Sequence, residues 1–63
     1  MKRNKLMRDL RDIANSRGLT LDLVRRGGNH DIYRIGSVQF PVGRHADIPE
    51  PTARRIIKEV GEQ

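Results

Sequence analysis

Two histidines, His30 and His45, are the only side chains of this sequence that ordinarily titrate near neutral pH, because the chain has no cysteine. A histidine side chain ordinarily has a pKa of about 6.5, which makes it the usual proton shuttle in proteins. His30 follows two glycines and an asparagine, a segment with little side-chain bulk that leaves an imidazole accessible to a large substrate. We therefore take His30 as the first candidate for chemistry. The competing interpretation is a polar histidine at a strand edge, which composition alone favours.

Three arginines, Arg25, Arg26 and Arg34, flank His30 in the sequence. Guanidinium groups bind phosphates through paired N–H donors and stabilise charge that develops on a phosphorane. A base that takes a proton from a ribose 2′-hydroxyl, next to such arginines, is sufficient for RNA cleavage without a metal. The cluster predicts a catalytic site for a phosphodiester, with these arginines as phosphate contacts.

His45 and its neighbour Arg44 lie in the loop after the last predicted strand and form a secondary candidate site. His45 would serve as a second acid or as a phosphate contact. Loop histidines beside aspartate are more often solvated or cap a turn, so we favour that interpretation. A metal site built from both histidines, Asp31 and Asp47 is a further alternative. No ligand pair has helical or zinc-finger spacing, so we expect no metal.

Composition narrows the function classes. The chain has 63 residues, no cysteine, and 13 Lys and Arg against 8 Asp and Glu, a formal net charge of +5. A chain of this size forms one small domain with no deep cofactor cleft, and it lacks thiol nucleophiles, disulfides and cysteine zinc sites. All of the net charge falls within residues 1–34. Such a basic surface favours nucleic acid or an acidic protein as partner. The sequence shows neither a membrane-spanning run nor a signal peptide, so we expect a cytoplasmic protein without membrane contact.

Apolar periodicity predicts a helix at each end of the chain. Leu6, Leu10 and Ile13 recur at helical spacing over 2–16, and Gly18 is placed to end that helix. The second helix begins at Pro51 and ends at Gly61. Its apolar stripe is formed by Ala53, Ile56, Ile57 and Val60, whereas Arg54, Arg55, Lys58 and Glu59 are expected to point outward.

Three strands are predicted between the helices, over 19–24, 30–35 and 37–42, separated by turns rich in glycine. The order α-β-β-β-α indicates an α+β fold, with a three-stranded antiparallel sheet and both helices on one face. The other face stays open. Alternation does not decide which face carries His30, and a bulge near Asn29 would shift the register.

Two segments resemble a known family. The run Gly28-Asn29-His30-Asp31-Ile32-Tyr33, followed by Val38-Gln39-Phe40-Pro41, is similar to the Gly-Ser-His segment and following strands of HicA-type toxins. These are small mRNA interferases of bacterial type II toxin–antitoxin pairs. Residues 44–48 and 52–61 resemble the loop and closing helix of that family, where Thr-Leu-Arg, an Ile-Leu pair and a final glycine are typical. The similarity covers most of the chain and is weakest in the first helix.

The resemblance implies a single HicA-like domain over 1–63 with a double-stranded-RNA-binding-domain-like fold. It further implies metal-independent cleavage of mRNA by one histidine, matching His30, without a cofactor, and neutralisation by an acidic HicB-like antitoxin. Asn29 replaces the family serine and keeps a hydrogen-bonding side chain, so we place it among the RNA-binding residues. Asp31 stands where members often carry a second histidine, and it could orient the ring of His30. Two other functions stay open: a non-catalytic RNA-binding module, and a basic surface that binds only an acidic protein.

Overall fold

A computed structural model describes residues 1–62 and contains two helices and three strands. The elements are α1 (Arg3–Ser16), β1 (Leu21–Arg26), β2 (His30–Ile35), β3 (Val38–Gly43) and α2 (Glu50–Gly61). The predicted order α-β-β-β-α and the α+β class are thus confirmed. The sheet is antiparallel with β2 in the centre.

The first strand lies two residues later in the chain than alternation predicted. Gly18, at φ +70°, ends α1, and the next N–H, of Leu19, donates to the carbonyl of Ala14 at 2.8 Å. The N–H of Leu19 therefore bonds to the last turn of the helix and not to a neighbouring strand. At its other end β1 continues to Arg26, which pairs with Asp31, and the register shifts between Leu23 and Arg25. The bulge is therefore at Val24 and not near Asn29.

One hydrophobic core joins both helices to one face of the sheet. From α1 it contains Leu6, Leu10 and Ala14; from the sheet and the following loop Ile35, Phe40, Val42 and Ile48; and from α2 Ala53, Ile56 and Val60. Each of these residues is at most 4% exposed, whereas Ile13 and Ile57 of the predicted stripes pack against the core and are only partly buried. Leu→Ala at such sites ordinarily lowers stability by about 2–5 kcal/mol.

The register decides which residues lie on the open face of the sheet. Asp31 and Ile35 are buried on the face that the helices cover, so His30, Ile32 and Arg34 lie on the other. Both aromatic residues of the chain, Tyr33 and Phe40, are stacked on the covered side with centroids 6.4 Å apart. A nucleic acid on the open face therefore has neither of these two rings to stack on. Neither helix in residues 1–62 has the length and apolar character needed to cross a bilayer.

Candidate active site

A tight turn places His30 at the start of β2. The N–H of Gly27 donates to the carbonyl oxygen of His30 at 2.8 Å. A β-carbon at Gly27 would lie 2.7 Å from that same oxygen, closer than real side chains approach a backbone atom. Only glycine closes the turn in this form. His30 itself is exposed and pairs across the sheet with Gly43, the last residue of β3.

Gly43 lies between the two histidines. A β-carbon there would lie 3.8 Å from Cδ2 of His30 and 4.0 Å from Cδ2 of His45. The two imidazoles therefore flank one small space above the end of β3. The sequence offered His45 only as a secondary candidate, since nothing in the spacing of the chain predicts that its loop turns back toward β2.

The two histidines line a cleft of about 370 Å³ between the end of the sheet and the start of α2. The lining of the cleft also includes Pro41, Asp47, Thr52 and Arg55. Arg55 was expected only on the outer surface of α2; it is exposed, and it also borders this cleft. Its spacing of three from Thr52 puts both on one flank of the helix, a signal that the sequence does contain.

An ion-pair cluster lies on the opposite side of the strands. It contains Asp31, which follows His30 in the chain, and Arg44, which precedes His45. Arg44 donates from Nε and Nη2 to Oδ1 of Asp31, at 3.0 and 2.8 Å. Arg3 donates to the other carboxylate oxygen at 3.4 Å and to the carbonyl of Gly43 at 2.9 Å. Asp31 is only 8% exposed, so this pairing is what makes its burial tolerable. Its carboxylate is bound to arginines and does not orient His30.

Arg44 also holds the turn that precedes His30. Its guanidinium donates to the carbonyl oxygens of Gly27 at 2.6 Å and Gly28 at 3.3 Å, and its backbone N–H donates to the carbonyl of Asn29 at 3.4 Å. One side chain thus ties the loop that carries His45 to the turn that carries His30. The structure gives Arg44 a positioning role.

The first residues of the chain hold the other side of the His45 loop. The N–H of Arg3 donates to the carbonyl of Ala46 at 2.8 Å, and Met1 and Ile48 exchange backbone hydrogen bonds of 2.7 and 2.9 Å. On the surface, Lys2 pairs with Asp47 at 3.2 Å. Backbone bonds therefore fix the loop on both sides of His45.

The sequence-predicted phosphate contacts lie outside the cleft. Arg25 is opposite Ile32 on the open face, and Arg34 is on the same face toward the far end of β2. Arg26 pairs with Asp31 in register, on the covered side, and Asn29 is exposed in the turn. Within residues 1–62 the guanidinium groups of these three arginines have no hydrogen-bond or ion-pair partner.

The alternative metal site is split between two sides of the sheet, since Asp31 points away from both histidines toward Arg44. No group of three or more histidine, aspartate or glutamate side chains in residues 1–62 is arranged to hold a metal ion. The chemistry that the described cleft offers is proton transfer by imidazoles beside a guanidinium.

Comparison of the chain with protein-family models, with curated proteins and with solved structures gives no match in any of the three. The assignment of a function accordingly depends on the residues and the geometry described above.

Proposed function

We propose that this protein is a metal-independent endoribonuclease that cleaves mRNA with His30 as its general base. One observation carries the proposal: an exposed imidazole lies in a cleft with a guanidinium, and has no hydrogen-bond or ion-pair partner within residues 1–62. In its neutral form such an exposed ring keeps one N–H donor and one nitrogen acceptor available to a ligand. A glycine turn and the side chain of Arg44 hold in place a ring that has no hydrogen-bond or ion-pair partner among residues 1–62.

The reaction needs few groups. His30 takes the proton of a ribose 2′-hydroxyl, and the 2′-oxygen attacks the adjacent phosphorus. The bond from phosphorus to the 5′-oxygen then breaks, which leaves a 2′,3′-cyclic phosphate and a 5′-hydroxyl. Arginine N–H groups stabilise the added negative charge of the phosphorane, an effect that is strong where the donors are already in place.

The open face of the sheet supplies the path for the rest of the RNA strand. Arg25 lies across from Ile32, two residues along β2 from His30, which is roughly 7 Å. Arg34 extends the same face further. Because these guanidinium groups have no partner within residues 1–62, they are available for flanking phosphates. Binding of this kind weakens steeply with salt, because the release of counterions is less favourable at higher salt concentration.

The resemblance to HicA-type toxins completes the proposal: the protein is the toxin of a cytoplasmic type II pair, and an acidic HicB-like antitoxin silences it. A groove of about 480 Å³ between α1 and β1 supports such a partner. It is larger than the histidine cleft and contains no histidine. Met7 and Tyr33 are among its apolar lining, Arg8 and Arg11 among its basic lining. Leu23, 44% exposed on the edge strand, offers an apolar anchor. An acidic segment with apolar side chains fits these features.

The test compares purified wild type with His30→Ala on end-labelled mRNA in the presence of EDTA. Wild type is expected to cleave, and the variant to be slower by about 10²–10⁴-fold, the usual contribution of a general base. Because His30 is exposed, the melting temperature should not change. Glu59→Gln, an exposed substitution near the far end of α2, serves as the control and should cleave normally.

Other outcomes identify the other functions. RNA binding that falls with salt, without cleavage by wild type, would support a non-catalytic RNA-binding module. Equal cleavage by wild type and His30→Ala would show that the catalytic assignment is wrong. If neither binds RNA and an acidic protein co-purifies after RNase treatment, the basic surface serves protein binding alone.

A further inference from the structure

We propose that the cleft is a two-histidine site, in which His45 is the general acid that protonates the leaving 5′-oxygen and Arg55 contacts the scissile phosphate. This proposal rests on the proposed ribonuclease function and adds to it a second catalytic group and a phosphate-binding residue. Without a metal to neutralise it, the alkoxide that leaves from a 5′-hydroxyl is a poor leaving group. A positioned acid is therefore the one group still missing from a site with a base and an arginine.

The distances place the two rings within reach of a single phosphodiester. Two donors that bond opposite oxygens of one phosphate stand roughly 8 Å apart, with hydrogen bonds of about 2.8 Å on either side. Cδ2 of His30 and Cδ2 of His45 lie 3.8 and 4.0 Å from a single point, the position of a β-carbon on Gly43. The two ring atoms are therefore no further apart than this span. The space between the two rings, next to Gly43, is where the phosphate would enter.

The ring of His45 has no hydrogen-bond or ion-pair partner among the described residues, 1–62, and the loop that carries it is fixed by hydrogen bonds. The nearby carboxylate of Asp47 is paired with Lys2 at 3.2 Å. The flanking residues are fixed, Arg44 by Asp31 and Ala46 by the N–H of Arg3. A ring without a partner on a braced loop is what proton donation to a substrate requires, since the group must be positioned before the reaction.

Arg55 supplies the charge in the same cleft. It borders the space that the histidines line, whereas its neighbour Arg54 is turned toward Glu50, with Nε 3.8 Å from the carboxylate, and does not line the cleft. The two adjacent arginines thus form a natural pair of test and control. Arg55 would donate to the non-bridging oxygens of the phosphate, where charge grows in the transition state.

The proton balance is complete with these groups. His30 in its neutral form accepts the 2′-hydroxyl proton while the 2′-oxygen bonds to phosphorus. The bond from phosphorus to the 5′-oxygen breaks, its electron pair stays on that oxygen, and the oxygen takes a proton from His45 in its charged form. Both rings return to their starting states by exchange with water.

The experiment uses two chimeric oligonucleotides that are deoxyribose except for one ribose at a cleavage site first mapped on mRNA. One has the normal 5′-oxygen at the scissile bond and the other a bridging 5′-sulfur, which leaves as a thiolate and needs no acid. We expect His45→Ala to cleave the oxygen substrate about 10²–10⁴-fold more slowly than wild type. On the sulfur substrate its rate should be within about tenfold of wild type, because the acid step is bypassed. His30→Ala should be slow on both.

The controls separate a chemical role from a structural one. Ala46→Ser, an exposed change in the same loop, should leave both rates and the melting temperature unchanged. His45→Gln repeats the test with a side chain that keeps hydrogen bonding but cannot transfer the proton, in case the alanine variant does not fold. Arg55→Ala should slow both substrates alike, whereas Arg54→Ala should slow neither.

Each result is decisive. Equal slowing of the two substrates by His45→Ala and His45→Gln, or no slowing of either, overturns the role of His45 as acid. A normal rate for Arg55→Ala, or an equal loss in Arg54→Ala, overturns the role of Arg55. If wild type cleaves neither mRNA nor the oligonucleotides, the proposed function itself fails, and this outcome is distinguishable because it appears before any variant is compared.

Discussion

The start of β2 lies beside the end of β3, where His30 pairs with Gly43, and the two sides of this junction differ in how their polar side chains are used. On one side Asp31 and Arg44 are locked together at 2.8 Å, with Arg3 as a third member. On the other side, their chain neighbours His30 and His45 flank a cleft and have no partner within residues 1–62. In β2, alternation sends His30 and Asp31 to opposite sides. In the loop after β3, Arg44 contacts Asp31 whereas His45 lines the cleft. The same short segments thus provide a clamp on one side and a candidate site on the other.

Charge alone therefore does not identify a functional residue. Arg44 and Arg3 belong to the basic surface by composition, yet their guanidinium groups serve Asp31 and backbone carbonyls. Arg55 belongs to a part of the sequence with no net charge, residues 35–63, yet it borders the cleft. A side chain whose hydrogen bonds are all made within the protein stabilises the fold, and one without partners is available to a ligand.

Filling the cleft should give the largest effect. In Gly43→Val the β-carbon would occupy the point 3.8 Å from His30 and 4.0 Å from His45, and its methyl groups would extend between the rings. We expect cleavage of mRNA to fall by about 10²-fold or more, because the substrate phosphate is displaced from its position. Valine suits a strand, so the free energy of unfolding should change by less than about 1 kcal/mol. Rates on labelled RNA and urea titration measure the two quantities.

Gly43→Ala is the matched variant for this test. Its single methyl group makes only ordinary contacts with both rings, so it should keep most of the activity. If valine and alanine behave alike, or if valine cleaves as fast as wild type, the space between the rings is not where the substrate binds.

The clamp consists of Asp31 and its two partners, Arg44 and Arg3. Removing its ion pairs should affect the stability of the fold more than the chemistry of the cleft. Asp31→Ala leaves two arginines without a carboxylate, and their side chains are 46% and 22% exposed. Solvent reaches Arg44 in part, so we expect a loss of about 1–3 kcal/mol in the free energy of unfolding, less than for a fully buried pair. Urea unfolding followed by circular dichroism measures the loss.

The contrast with His30→Ala sharpens this prediction. That exposed substitution should change the free energy of unfolding by no more than about 0.5 kcal/mol. Asp31→Asn keeps an acceptor for Arg44 and should fall between wild type and Asp31→Ala. If Asp31→Ala is as stable as wild type, the ion pairs of the clamp contribute nothing, and the two sides of the junction do not differ as described.

The fold could be predicted because its signals are local. The spacing of Leu6 and Leu10 in α1, and of Ile56 and Val60 in α2, identified side chains that are at most 2% exposed in the structure. The start of β1 was placed wrongly because the N–H of Leu19 bonds to the end of α1, and alternation alone does not report that bond. Local patterns give the elements, whereas their ends depend on hydrogen bonds between them.

The candidate site could be predicted only in part because its contacts are distant in the chain. His30 was found from its residue type and the glycines before it. Its pairing with Gly43, and hence its approach to His45, depends on the register of β2 and β3. The ion pair of Asp31 with Arg44 spans 13 residues, and the contact of Arg3 with Asp31 spans 28. No spacing rule in a single sequence predicts such pairs.

The smallest effect concerns the strap of residues 1–3 that holds the His45 loop. The terminal ammonium of Met1 lies 2.9 Å from the Glu50 carboxylate at the start of α2. The hydrogen bond and charge of that ammonium lower the pKa of Glu50 below its ordinary value of 4.5, with smaller contributions from Arg54 and Lys5. A carboxyl whose pKa is lower in the folded state stabilises the fold above its ordinary pKa, and this contribution is lost as the pH falls through the lowered value.

We therefore expect Glu50→Gln to melt slightly below wild type at pH 7, and the two melting curves to converge as the pH falls below 4.5. The side chain of Glu50 is 53% exposed, so the difference at pH 7 should be small and should shrink in high salt. Acetylating the terminal amine removes the same partner and should reproduce the change without a substitution. A constant difference between wild type and Glu50→Gln across the acid range would mean that the ammonium does not act on this carboxylate. The loop of His45 would then be held without this ion pair, by its backbone hydrogen bonds to Met1 and Arg3 and by the contacts of Arg44.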